Sequence, residues 1–294
     1  MLALEVLQRC AQQAGFDAVG AARADYLADD EVYLQQWLEH GCQGTMQYME
    51  RNQDKRCDPR LLLEGTQTVV VGLLNYYKTT SLPEGVPYIA LAGQSKCDYH
   101  IVMQQHLQQL EVLLQEATHN TLAVSEKQHT FCDSAPIFER RWAQRAGLGW
   151  IGKNHLLISP QWGSFVHIGI LFLNEEVTPY STPIEEQCGD CTECIRHCPT
   201  GALQSDIFDA RRCLSYLTIE RKEPLEQRYT HLASQHLYGC DACQKACPYN
   251  AHLQETSHEE LQMNPILKEM SATDWQQASR RQKLKILRRL ARND

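Results

Sequence analysis

The chain has 294 residues, 43% hydrophobic content and a formal net charge of −8. That length accommodates about two domains, and no apolar stretch approaches the roughly eighteen residues needed to span a membrane. The acidic balance argues against a generic nucleic-acid coat, so a soluble cytoplasmic protein is expected.

Taken in chain order, residues 2–15 read as a short amphipathic helix with no basic n-region or cleavage site, so no secretory leader is expected. A second helix is expected over 30–40. Residues 68–77, TVVVGLLNYY, are rich in β-branched and aromatic side chains and predict a buried strand. Residues 98–118 predict a long helix with Ile101, Leu107, Leu110 and Leu114 on one face. A strand is expected over 121–125, and Pro136 suits the first position of a helix running to Ala146. Two more strands follow at 155–159 and 164–173. These elements make an α+β domain over residues 1–175, closed by the proline-bearing linker TPYSTPIEEQ. A ferredoxin-like part over 176–260 and a helical tail over 261–294 complete the chain. Residues 280–294 carry seven Lys or Arg and one acid, Asp294. This is either a solvated helix or a surface for phosphates.

Residues 147–152 spell G-x-G-x-x-G. A dinucleotide fingerprint follows a strand and opens a helix. Here the predicted order is helix, loop, strand, so a Rossmann site is rejected. What remains is a glycine-rich loop ending in Lys153 and Asn154, suited to close approach by a flat ligand or an anion.

Eight of the thirteen cysteines lie between residues 188 and 247. Cys188, Cys191, Cys194 and Cys198 form C-x2-C-x2-C-x3-C followed by Pro199, and Cys240, Cys243 and Cys247 form a second run followed by Pro248. A cubane cluster needs one thiolate at each of its four iron corners. Three cysteines on a tight loop reach three corners, and in two-cluster ferredoxins the last cysteine of each run ligates the other cluster. The first 4Fe–4S cluster then takes Cys188, Cys191, Cys194 and Cys247. The second takes Cys240, Cys243 and Cys198, with Cys213, the nearest upstream cysteine, as its fourth ligand. The insert from about Leu214 to Gly239 is thereby held at both ends by one cluster and is placed to reach toward a substrate or second cofactor. A disulfide framework needs an oxidising compartment, and an odd cysteine number leaves a thiol over. Zinc prefers two pairs of ligands to triplets closed by C-P.

The stretch FCDSAPIFERRWAQRAGLGWIGKNHLLISPQWGSF, with CGDCTECIRHCPTGAL and YGCDACQKACPYN, closely resembles the epoxyqueuosine reductase family. RCDP at 56–59, LLEG at 62–65, DYH at 98–100 and CLSYLTIE at 213–220 extend the likeness over nearly the whole chain. The resemblance implies a cobalamin-binding domain fused to a ferredoxin-like domain with two 4Fe–4S clusters. It implies reduction of epoxyqueuosine to queuosine in tRNA, the last step in making that base, with electrons passing through the clusters to cobalamin. An external low-potential electron donor and a monomeric state are expected. The chain reads as a short form, without the helical-repeat extension that many members use to grip tRNA. Asp133 matches the family's proton-donor position, a role that needs a raised carboxyl pKa; burial by Phe131, Ala135 and Pro136 is expected to supply it. From residues alone, Asp133 or Ser134 would read as a helix cap.

By the same resemblance Cys57, Cys97, Asp133, Ser215 and Asp241 fall at cobalamin-contacting positions, several through backbone atoms, and Leu157 and Ile168 line the corrin. Without it, Cys57 and Cys97 are ordinary buried thiols. Lys222 is the candidate tRNA phosphate contact. The chain has His167 where an aromatic is common and Ile170 where an acid is common. Two alternatives stay open: a cobalamin-dependent dehalogenase-like reductase, and a non-catalytic ferredoxin-type electron carrier.

Overall fold

The computed structural model describes residues 1–122, 127–205, 207–279 and 282–283. The strand expected over 121–125 and the basic stretch 280–294 fall largely outside the described residues. Four antiparallel strands make the central sheet, in the order Ala18–Arg23, Thr68–Asn75, Val166–Leu173, Thr130–Phe131. Every residue of Thr68–Asn75 is buried, because helices cover both faces. Alternation divides its side chains between two cores. Val70 and Leu74 pack with residues of the helices Leu4–Gln13 and Tyr99–Ala117, while Val69, Val71 and Leu73 pack with Trp142 and Ala143 of the helix Glu139–Arg145.

Gly72 and Gly169 face each other across the two middle strands. A Cβ on Gly72 would lie 2.3 Å from the Phe16 ring, and one on Gly169 2.3 Å from the Met103 sulfur. Glycine at both positions lets the helical layer settle onto the sheet. The strand Ala18–Arg23 escaped the sequence reading: it is built largely of small residues, and its Gly20 lies against the Ala146 carbonyl, 2.0 Å from where a Cβ would stand.

Two expectations need correction. Ile101 is 48% exposed, and Val102 and Met103 are buried instead. Asp98 caps the long helix, accepting from the His100 amide at 2.9 Å. The inward row then runs Met103, Leu107, Leu110, Leu114, which turns Ile101 outward. Pro136 does not open a helix: the helix begins at Glu139, with Phe138 as an N-cap that makes no side-chain hydrogen bond. Neither Asp133 nor Ser134 therefore caps it.

The insert after Cys213 contains the helices Leu214–Ile219 and Gln227–Ser234 and the strand His236–Tyr238, which pairs in parallel with Tyr88–Ile89. Beyond the second cysteine run the chain returns to the first domain. The Thr256 amide donates to the Tyr77 carbonyl at 2.8 Å, and Lys78 Nζ donates to the Leu261 carbonyl at 2.8 Å. Met263, Leu267, Met270 and Trp275 are buried in one cluster with Ile89, so the chain up to residue 279 is packed structure. Among the described residues no helix is long and apolar enough to cross a membrane.

Candidate active site

Each cysteine run is a short loop that contains one turn of helix, Glu193–Arg196 around Cys194 and Ala242–Lys245 around Cys243. Cys188, Cys191, Cys194 and Cys247 line one cavity of about 60 Å³, together with Lys153, Asn154 and Tyr249. Burial raises the Cys194 thiol pKa, and the neighbouring thiols Cys188, Cys247 and Cys191 raise it further. The other four thiols form a second group: burial pushes Cys243 up, and Cys213, Cys240 and Cys198 add to it. The structure thus brings the eight cysteines together as two interlaced tetrads, each holding a residue or more from both halves of the 188–247 segment.

Thiolate charge in both groups is met by N–H donors. Burial raises the Cys198 pKa, but the amides of Leu203, Thr200 and Ala202 outweigh it and bring the thiol below its ordinary value. The amides of Tyr216 and Ser215 face Cys213. The buried Trp150 indole N–H faces the Cys188 thiol and lowers its pKa against the larger effect of burial. Donors of this kind tune the potential of a sulfur-ligated cluster.

The glycine-rich loop does something other than the sequence suggested. A Cβ on Gly147 would lie 2.4 Å from the Thr182 carbonyl oxygen, and one on Gly149 2.2 Å from that of Ile158. The close approach these glycines permit is by the chain's own backbone. The loop's end turns toward the first tetrad, where Lys153 Nζ donates to the Cys191 carbonyl at 3.1 Å.

Asp133 stands in an exposed turn with φ +51°, a left-handed conformation that costs a non-glycine residue of order 1 kcal/mol or more. The burial expected from Phe131, Ala135 and Pro136 is not what the structure shows. The residue is exposed, and a contact from the long helix holds its carboxyl. Tyr99 donates its hydroxyl to Asp133 Oδ2 at 2.9 Å, and the Asp133 amide donates to Glu139 Oε1 at 2.6 Å. Burial pushes the Glu139 carboxyl up to about 7; the Asp133 charge adds to that, while the Asp133 amide, Arg140 and Arg56 oppose it.

Beneath Asp133 runs a column of stacked rings. Tyr99 lies over His167 with centroids 4.2 Å apart and planes at 7°, and His167 stacks on Tyr76 at 4.3 Å. Burial, then Lys78 and His100, hold His167 neutral, with its pKa down at about 3. Its Nε2 is buried and has no partner among the described residues. On the opposite side, Tyr238 of the insert is raised by burial and by the charges of Asp98, Glu220 and Asp133, which sets the insert beside the Asp133 turn.

The remaining predicted residues are placed unevenly. Cys57 and Leu157 are buried in the second core with 0% and 2% exposure, so their side chains are engaged in packing. Ile168 is half-buried beside His167, and Cys97 is half-buried with its amide donating to Glu260. Ser215 directs its amide at the second tetrad. Asp241 is buried, accepting from the Tyr88 hydroxyl at 2.6 Å and the Leu91 amide at 2.7 Å. Lys222 is exposed just beyond the first insert helix. Sequence reasoning missed Glu139, Tyr99 and Trp150 as site residues. The only signals were DYH, which contains Tyr99, and a carboxylate six residues after Asp133 at the head of a helix.

Two interlaced thiolate tetrads joined to an α+β domain with a held carboxylate define a double-cluster iron–sulfur oxidoreductase. Residues 187–250 match the 4Fe-4S double cluster binding domain family, and residues 56–134 match the family described as Epoxyqueuosine reductase QueG, DUF1730. The chain is 38% identical over 265 residues to the epoxyqueuosine reductase of Leadbetterella byssophila, covering 90% of this chain and 85% of the relative. A crystal structure of selenomethionine-labelled epoxyqueuosine reductase superposes with TM-score 0.84 at 29% identity, covering 96% of this chain and 75% of that one. An epoxyqueuosine reductase solved with a tRNA-Tyr epoxyqueuosine-modified stem loop superposes with TM-score 0.80 at 28% identity, over 98% and 79% of the two chains. The chain belongs to the epoxyqueuosine reductase family.

Proposed function

We propose that this chain reduces epoxyqueuosine to queuosine in tRNA. The observation that carries the reading is the meeting, in one molecule, of two thiolate tetrads and a tyrosine-held Asp133 on a domain whose relative was solved with an epoxyqueuosine-modified stem loop. The division into residues 1–175, 176–260 and 261–294 is part of the same reading. Two cubane clusters are the reading these thiols support: four line one cavity, the other four lie close enough to raise the Cys243 pKa together, and N–H donors face Cys198 and Cys213. Our reading places a cobalamin between the Asp133 turn and the insert, where the Tyr99 ring, stacked on His167, would offer a flat wall beside the carboxyl. Bound there, the clusters would supply low-potential electrons and the cobalamin a strongly reducing, nucleophilic cobalt.

The chain's own residues then do the following. Cys188, Cys191, Cys194 and Cys247 would hold one cluster, and Cys198, Cys213, Cys240 and Cys243 the other. Ile168 and the backbone around Cys57, Cys97, Leu157, Ser215 and Asp241 would border the cobalamin. Asp133 would donate the proton that lets the epoxide oxygen leave. Opening the epoxide to an alkene consumes two electrons and two protons and releases water. The cover that Asp133 needs to act as an acid comes from the bound groups rather than from its own turn. Lys222, exposed on the insert, would meet a tRNA phosphate.

The test is an anaerobic preparation supplied with cobalamin, a strong reductant and tRNA bearing epoxyqueuosine. Queuosine should form, and iron and sulfide should each be about eight per chain. Cobalamin binding with untouched tRNA would overturn the assignment of substrate.

A further inference from the structure

Asp133 lies two residues beyond the strand Thr130–Phe131, in a left-handed conformation that costs any non-glycine residue, an aspartate less than most. Something must hold it. The Tyr99 hydroxyl fixes the carboxyl, but a side-chain bond leaves the backbone free to relax. The Asp133 amide donates to Glu139 Oε1 at 2.6 Å, from the first turn of the following helix. That bond closes a loop over the five residues Ser134 to Phe138, and the helix starts at Glu139. We propose that Glu139 is the positioning residue of Asp133, its carboxylate gripping the Asp133 amide so that the turn presents the acid to the epoxide. This rests on the reading of Asp133 as the proton donor.

The surroundings make the grip depend on charge. Glu139 faces the Asp133 carboxylate and the Cys132 thiol of the turn, Arg140 of its own helix and Arg56 of the helix Gln53–Cys57. Burial and the Asp133 charge push its pKa to about 7, so Glu139 passes between carboxylate and neutral carboxyl near neutrality. When Asp133 gives up its proton, Glu139 is driven to take one from solvent. A neutral carboxyl accepts a hydrogen bond more weakly than a carboxylate, and the turn then loosens, exposing Asp133 for reprotonation. Glu139 touches neither the epoxide nor the cobalamin in this scheme.

Hydrogen–deuterium exchange on the protein with its clusters, before cobalamin or tRNA is added, reads the grip without turnover. Exchange of the segment 131–138 should be about tenfold faster in Glu139→Ala than in the wild type, with iron content unchanged. In the reconstituted assay kcat should fall by about tenfold or more while KM for tRNA stays within about twofold. Glu139→Gln keeps an acceptor but cannot titrate, so the limb of the kcat profile that rises through pH about 7 should vanish. Wild-type exchange and kcat in Glu139→Ala overturn the proposal. If that variant does not fold, a wild-type pH limb in Glu139→Gln overturns it. Asp133→Asn separates the two readings: turnover by that variant would refute the acid role and leave the exchange result on Glu139 standing.

Discussion

Asp133 and Glu139 show a functional residue that is expensive to keep. Burial, with the Asp133 charge, holds the Glu139 pKa up at about 7, above the ordinary glutamate value. The folded state therefore binds the proton more tightly than the unfolded chain. Stability falls as pH rises from about 4.5 to 7 and stays low above that, an ionisation cost on the order of 2–3 kcal/mol. Glu139→Gln removes the titration. Its thermal midpoint should exceed the wild type's at pH 8, and the gap should narrow as pH is lowered to 5. A gap that widens in acid would show that the wild-type carboxylate stabilises the fold. At Asp133 itself the expected outcome of Asp133→Asn is retained cobalamin binding, read by absorbance, with queuosine formation lost. Full turnover by this variant would remove the acid from the mechanism. The sequence located Asp133 through CDSAP, but its environment was illegible. Burial was inferred from neighbours in the chain, whereas the residue is exposed and its carboxyl is held by Tyr99.

At the scale of elements, hydrophobic pattern was a good guide where a face is wide and continuous. TVVVGLL read as a buried strand because both its faces are covered, and the helix from Tyr99 was legible from its leucines. The errors fell where a cap or a turn sets the phase. Ile101 was counted inward because the helix start was not yet fixed by Asp98. The strand Ala18–Arg23 carries too little bulk to announce itself, since its contribution is to let Ala146 approach. The leucine row itself should behave as core. Leu107 is fully buried against the sheet, and Leu107→Ala should cost about 2–5 kcal/mol. A thermal scan at fixed rate would show this as a lowered midpoint. An unchanged midpoint would mean that the helix is not anchored through this row.

For the whole molecule, cysteine spacing disclosed the grouping of thiols, because ligand geometry is local and written in two- and three-residue gaps. What the spacing could not disclose was the other wall of the site. Trp150 and Lys153, which border the first tetrad, come from a loop that sequence reading assigned to a flat ligand or an anion. The crossing of the tetrads gives a discriminating experiment. Cys247→Ala should halve the iron, from about eight to about four per chain. Adding Cys188→Ala should lower it no further, whereas adding Cys213→Ala should remove nearly all of it. The reverse pattern would show that each run serves its own cluster.

The interlacing of the tetrads also bears on how the protein is made. A chain emerging from the ribosome displays Cys188, Cys191, Cys194 and Cys198 together, yet only three of these belong to one set. The fourth member, Cys247, is translated after the entire insert, and the second set opens with a thiol from the first run. The second set is complete only when synthesis has passed residue 243, and the first only when it has passed residue 247. Metal loading is therefore a late event in biogenesis, carried out on a chain whose first domain has already been synthesised. The same ordering guards against a half-loaded protein, since closing one tetrad draws together the segments that complete the other.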